Sequence, residues 1–353
     1  MRYRAVTSQL ASDLQDAKKI LLLELGGLGD LVHSLPALWA LRQQFPRAEL
    51  HCLVQAGNAS LLRLTPWIDR VIPYQRGGNG SVRHHLATAL ALRARHYDLA
   101  VDFMGADYSA AVAGISRARR RLMRHPGPSR FRIGWQVFST DVMECSFHQE
   151  PMYLQKLSCL EQAGVERPAS LCSIRRDPSF ADNGVSPSRT PYLHVSPYTK
   201  LARKELPPER MAELLVMLQH RFPRHQLVLS SSNKARERAL LDRLLAVLPF
   251  QPAAIYPGTL NIPELYALIE GADLHLGGDS GAMHLAWLAG TPSVAWFRDF
   301  GAFGEWVPQG SQYAIVRSSD QRTDQLHGID LDQIVDQAER VRTLPRTLPG
   351  SFH

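Results

Sequence analysis

Short apolar runs alternate with amphipathic stretches along this chain in a repeating strand–turn–helix order. Residues 20–25 form an apolar run of strand length, closed by Gly26-Gly27-Leu28-Gly29-Asp30. Residues 31–45 place Leu31, Leu35, Leu38 and Leu41 on one helical stripe, and Pro46 ends it. The spacing then predicts a strand over 49–54, a helix over 86–95 and a strand over 99–103. The lead, residues 1–18, is polar and reads as frayed or helical. A run of Asp, Ser, Pro and Asn over 177–190 interrupts the alternation and is the best linker in the chain. Beyond it the pattern predicts strands over 192–195 and 226–230 and helices over 208–221, 234–247 and 262–270, with a last helix over 331–342. Apolar strands separated by helices build parallel sheets covered on both faces. The expected fold is therefore α/β: two Rossmann-like, doubly wound parallel-sheet domains facing a central cleft. The expected boundaries are 1–176, a linker at 177–190, a second domain at 191–330, and a C-terminal helix and tail at 331–353.

The most informative stretch is 274–297, LHLGGDSGAMHLAWLAGTPSVAWF. A short strand runs into Gly277-Gly278-Asp279-Ser280-Gly281, and a helix opens with Ala282, Met283 and His284. Such a turn presents backbone N–H groups and the positive end of a helix, which together hold an anion. An acid and a histidine beside it suit a ligand bearing both phosphates and hydroxyls, as a nucleotide-sugar does. Read singly, Asp279 and Ser280 are also good helix caps, and His284 is either a phosphate contact or a core histidine.

Two further turns bear chemistry. The turn over 26–30 is superficially a dinucleotide fingerprint, but its third small position falls on Val32, and the following strand ends in Gln55 with no ribose-binding carboxylate. A nicotinamide dehydrogenase is thereby disfavoured. What remains is a glycine turn presenting one carboxylate, Asp30, which taken by itself reads best as a helix cap. The second turn, Ser196-Pro197-Tyr198-Thr199-Lys200 through Lys204-Glu205-Leu206-Pro207, sets hydroxyls and ammoniums just after a strand. That suits phosphate, or an ordinary basic surface loop.

Charge adds an asymmetry. The net charge is +7. Residues 1–175 hold 22 Lys and Arg against 14 Asp and Glu, a net of +8, and the remainder holds 18 against 19. Seven arginines crowd residues 116–132, including Arg120 and Arg124. This implies an anionic partner for the first half, or a solvated basic face. Nucleic acid fits less well, because the cluster lacks interleaved aromatics. The four cysteines form no Cys-x-x-Cys pair, which argues against a zinc site or a disulfide framework and for a reducing compartment. No apolar run is long enough to span a bilayer and no secretory signal is evident, so the cytoplasm is expected.

Three motifs in order carry a resemblance over almost the whole chain. ILLLELGGLGDLVHSLPALWALRQQFP resembles the N-terminal signature of the heptosyltransferases, glycosyltransferase family 9. YTKLARKELPPE is similar to that family's lysine segment, and GGDSGAMHLAWLAGTP resembles its donor-binding signature. The resemblance implies a GT-B architecture with acceptor on the first domain and nucleotide-sugar on the second. It further implies metal-independent, inverting transfer of L-glycero-D-manno-heptose from ADP-heptose to the inner core of lipopolysaccharide, without a cofactor. Asp30 matches the catalytic base and Lys204 the lysine on the donor diphosphate. Ser196, Thr199, Lys200, Asn233, Asp279, Ser280, Gly281, Ala282, Met283 and His284 are the implied donor contacts. Gly27, Leu28, Gly29, Arg120 and Arg124 are the expected acceptor contacts. Where many members carry a ribose-binding acid this chain reads SSSNKARE, and the family's usual aromatic before the proline is Leu206. A monomer touching the anionic inner membrane peripherally from the cytoplasmic side is expected. A transferase of other donor or protein acceptor, and a non-catalytic nucleotide-sugar or polyanion binder, stay open.

Overall fold

Ile20, Leu21, Leu22 and Leu23 expose no surface, because their strand lies inside a parallel sheet with helices on both faces. The computed structural model describes residues 4–75, 82–125, 134–144, 150–170, 174, 190–299, 303–318 and 325–346. Its chain divides into two units, Met1–Arg175 and Arg176–Ser351. The expected linker falls, but for Thr190, outside the described residues.

The first unit holds β1 (Arg4–Ala5), β2 (Lys19–Glu24), β3 (Glu49–Gln55), β4 (Arg70–Tyr74), β5 (Leu99–Asp102), β6 (Arg120–Arg124) and β7 (Asp141–Met143). They form one parallel sheet in the order β1-β7-β6-β5-β2-β3-β4. The second holds β8 (Tyr192–Ser196), β9 (Gln226–Ser231), β10 (Ala254–Pro257), β11 (Leu274–Gly278), β12 (Ser293–Arg298) and β13 (Tyr313–Ser318). Their order, also all parallel, is β10-β9-β8-β11-β12-β13. Counted from β2 and from β8, both sheets follow the doubly wound order, with β1 added at one edge of the first. The order reverses between β2 and β5 and again between β8 and β11. Connections leave these neighbours toward opposite faces, opening a crevice at the strands' carboxyl ends. All three glycine-rich or lysine-bearing turns lie there.

Four expectations shift. The lead contributes an edge strand, Arg4 pairing with Asp141 and Ala5 with Val142, before a short helix at Leu10–Asp13. The helix expected from residue 31 spans Leu28–Gln44, taking Leu28, Gly29 and Asp30 into its first turn. The last helix, Leu331–Arg342, is not a separate tail. It buries Leu331, Ile334, Val335, Ala338 and Val341 in the same core as Leu193, Leu276 and Trp296. Cys52 is a free, buried thiol whereas Cys159 is disulfide-bonded, although the spacing of the four cysteines argued against a disulfide framework.

Because Ile334 is fully buried in that core, Ile334→Ala is expected to destabilise the second domain by about 2–5 kcal/mol in urea unfolding. A loss below about 0.5 kcal/mol, the scale of a surface substitution, would make the helix peripheral.

Candidate functional site

In the first unit the glycine turn sits at the carboxyl end of β2. Gly27 is the helix N-cap position, and Asp30, three residues on, reaches back so that its Oδ2 accepts the Gly27 N–H at 2.8 Å. Gly26 permits this. A Cβ there would stand 2.7 Å from the Cβ, Cγ and Oδ2 of Asp30. The cap and the presented carboxylate are thus one arrangement. Gly27 is exposed, and Leu28, Gly29 and Asp30 are half-buried. Burial and the nearby Glu24 carboxylate hold the Asp30 carboxyl above its ordinary value, opposed by Lys156.

Below the turn lie groups that no local motif announced. Lys156 Nζ donates to Glu24 Oε2 at 2.9 Å, to Ser34 Oγ at 2.7 Å and to the Asp30 carbonyl at 2.8 Å. Packing of the Leu28–Gln44 helix against the Met152–Gln162 helix makes this meeting. Asp102, fully buried at the end of β5, accepts from Ser109 Oγ at 2.7 Å and from the Met104 N–H at 2.9 Å. Burial pushes its carboxyl up to about 6.

Three arginines of the run are engaged inside the fold, while Arg117 and Arg119 are exposed. Residues 120–124 are an interior strand of the sheet. Arg120 makes a two-pronged pair with Asp141, its Nε at 2.8 Å and its second contact through the other oxygen. Arg124 is buried and donates to Gln155 Oε1 at 2.8 Å. Arg121 donates to the Phe138 and Ala118 carbonyls. These guanidiniums satisfy the fold, because a strand flanked by buried acceptors consumes them. Arg130 and Arg132 lie outside the described residues.

In the second unit the lysine turn and the Gly277–Gly278 turn meet. Lys204 Nζ donates to Asp279 Oδ2 at 2.5 Å, across 75 residues of sequence. Gly278 is what lets the turns approach. A Cβ there would stand 2.4 Å from the Lys204 carbonyl and 3.3 Å from Thr199 Cγ2. Ser196, at the carboxyl end of β8, is buried beside Gly277. The Gly281–Ala289 helix opens at Ser280, whose buried Oγ has no partner among the described residues. The first-turn N–H groups of Gly281, Ala282 and Met283 therefore have no serine cap. His284 is buried one turn in, its ring edge-on to Trp306 at 5.9 Å. Burial lowers its imidazole to about 4, so it is neutral at physiological pH.

Other expected donor residues take different places. The Thr199 hydroxyl donates to the Leu201 carbonyl and accepts the Leu201 N–H, so it shapes its own turn. Lys200 and Asn233 are exposed. Behind the turn, buried Glu205 accepts from the Thr199 N–H at 2.9 Å and from Arg236 Nη1 at 2.6 Å. Arg236 also reaches the Thr199 carbonyl. After β9, Glu237 reaches back to the Ser232 N–H at 3.2 Å, placing a carboxylate at the turn that SSSN left without one. Glu205 stood inside the recognised lysine segment, and Arg236 and Glu237 close the SSSNKARE stretch, where neither was singled out.

A family model described as glycosyltransferase family 9 (heptosyltransferase) matches residues 85–331. The chain is 27% identical over 284 residues to the lipopolysaccharide core heptosyltransferase OpsX of Haemophilus influenzae, covering 78% of each chain. The fold resembles a solved glycosyltransferase family 9 structure from Veillonella parvula, with a TM-score of 0.77 at 17% identity, over 92% of this chain and 97% of that one. It also resembles the E. coli heptosyltransferase WaaC solved with ADP, at 0.74 and 19%, over 92% and 99%. The shared fold is the GT-B class that the resemblance implied.

Asp141 is fully buried with Arg120 as its cation. Arg120→Ala is therefore expected to cost about 3–5 kcal/mol by stranding that carboxylate. An unchanged unfolding midpoint would return Arg120 to the pool of ligand contacts.

Proposed function

The chain belongs to glycosyltransferase family 9, the heptosyltransferases, and from that premise we propose its reaction. It moves L-glycero-D-manno-heptose from ADP-heptose to an inner-core lipopolysaccharide acceptor, with inversion and without metal or cofactor. Relatives named for lipopolysaccharide heptosyl transfer support the substrate class. The observation that carries the chemistry is Asp30, a carboxylate held by one backbone N–H at the rim of a crevice, with a raised pKa that makes it a better base.

The acceptor hydroxyl attacks the anomeric carbon as the bond to the diphosphate breaks, and its proton passes to Asp30. Gly27, Leu28 and Gly29 form the backbone rim that the acceptor meets. Charge growing on ADP is met by Lys204 and by the N–H groups of Gly281, Ala282 and Met283. The Lys204 ammonium has three donors, one of them on Asp279. The others are free to turn toward phosphate. Neutral His284 contributes shape and a hydrogen bond rather than charge. Ser196, Thr199, Asp279 and Ser280 line the donor turn, and Lys200 and Asn233 serve from its exposed margin. Arg120 and Arg124 are left out of acceptor binding, since both guanidiniums are spent inside the fold.

The enzyme works as a monomer on the cytoplasmic side, touching the anionic inner leaflet peripherally. The net +8 of residues 1–175 supports the contact with an anionic leaflet.

The test is transfer from ADP-heptose to a panel of progressively truncated lipopolysaccharide cores. Product is expected on one acceptor. Asp30→Asn should lower kcat by about 10²–10⁴-fold while calorimetry shows donor binding unchanged. In the wild type the rate is expected to fall on the acid side at a pH above the ordinary aspartate range, because the base must be ionised. ADP-heptose binding without transfer to any acceptor would favour a binding role, and full activity of Asp30→Asn would remove it from the mechanism.

A further inference from the structure

Glu24 is 1% exposed and Lys156 3%. Their charges come from β2 and from a helix 132 residues away in sequence. A buried ion pair is a poor source of stability, since apolar replacements of similar volume are often neutral or better. Its placement points to another role. Lys156 spends its three donors on Glu24 Oε2, Ser34 Oγ and the Asp30 carbonyl. The other Glu24 oxygen accepts the Gly26 N–H at 3.2 Å. The pair thus grips the glycine turn at both ends, Gly26 and Asp30. The Phe103 ring, 5.9 Å from the ammonium, helps close the site to water.

We propose that Glu24 and Lys156 are positioning residues for Asp30, fixing the turn that aims its carboxylate and balancing the charge beneath it. This rests on the reading of Asp30 as the base. The charged groups acting on Asp30 are Glu24 from β2 and Lys156 from the Met152–Gln162 helix. Asp102 of β5 lies within the electrostatic reach of Glu24. Ser34, on the helix of Asp30 itself, donates to Glu24 Oε2. With both members present, the buried anion and cation oppose each other at Asp30. Removing the lysine leaves Glu24 unopposed, so the Asp30 carboxyl holds its proton to higher pH. Removing the glutamate charge leaves the ammonium unopposed, so Asp30 ionises at lower pH.

The experiment follows the Asp30 carboxyl by ¹³C NMR titration in the full, unliganded chain. It compares wild type, Lys156→Met, Glu24→Gln and the double variant. Lys156→Met should raise the Asp30 midpoint and Glu24→Gln lower it, each by about 1–3 pH units, the usual effect of one nearby charge. The double variant should return close to wild type. Midpoints that stay put, or move in the same direction in both single variants, would overturn the proposal and reduce the pair to packing. Glu24→Gln keeps an oxygen for Ser34 and Lys156, so it carries the test even where Lys156→Met fails to fold. The pH profile of kcat with ADP-heptose is recorded alongside. Midpoints that shift as stated while the profile does not would uphold the pair and refute Asp30 as base. A profile that shifts without the midpoints would refute the pair.

Discussion

Every strand pairing among the described residues is parallel, and that constraint orders everything else. A parallel sheet needs a crossover between successive strands, and crossovers cover both its faces. The central strands are therefore largely apolar, as Ile20 to Leu23 and Leu274 with Leu276 show. Groups that must meet a ligand are displaced to the turns at the carboxyl ends. Where strand order reverses, between β2 and β5 and between β8 and β11, those turns diverge and leave room. Asp30 stands at the first reversal, and Lys204 with Asp279 at the second.

Close backbone approach then sets the geometry within each turn. Gly26 makes room for the Asp30 side chain, and Gly278 lets the lysine turn lie against the strand end. In both cases a methyl group would occupy space already filled by backbone or by the functional side chain. Glycine here is chosen for the absence of a Cβ rather than for an unusual dihedral angle.

Charge inside the fold is arranged in pairs that span long stretches of sequence. Glu24 meets Lys156, Arg120 meets Asp141, and Glu205 meets Arg236. An isolated buried charge costs far more than these pairs return, so each member commits its partner. The same rule explains the arginine run. Arg120 and Arg124, placed on an interior strand, are bound to internal acceptors before any ligand arrives.

The chain's own order of residues determined the strand and helix periods, the two-domain α/β class, and the three turns at the strands' carboxyl ends. Helix Pro208–Arg221 and helix Leu331–Arg342 lie where the periodicity puts them. This is because periodicity, glycine turns and helix starts are local properties, set by neighbours a few residues apart. Which acids and bases share a site is not local. Nothing near Glu24 announces Lys156, and nothing near Arg120 announces that its strand runs between β5 and β7. Nor did the apolar stripe of the last helix say which core it completes. Only tertiary packing decided those, because strand order and helix contact bring together side chains that the sequence holds far apart.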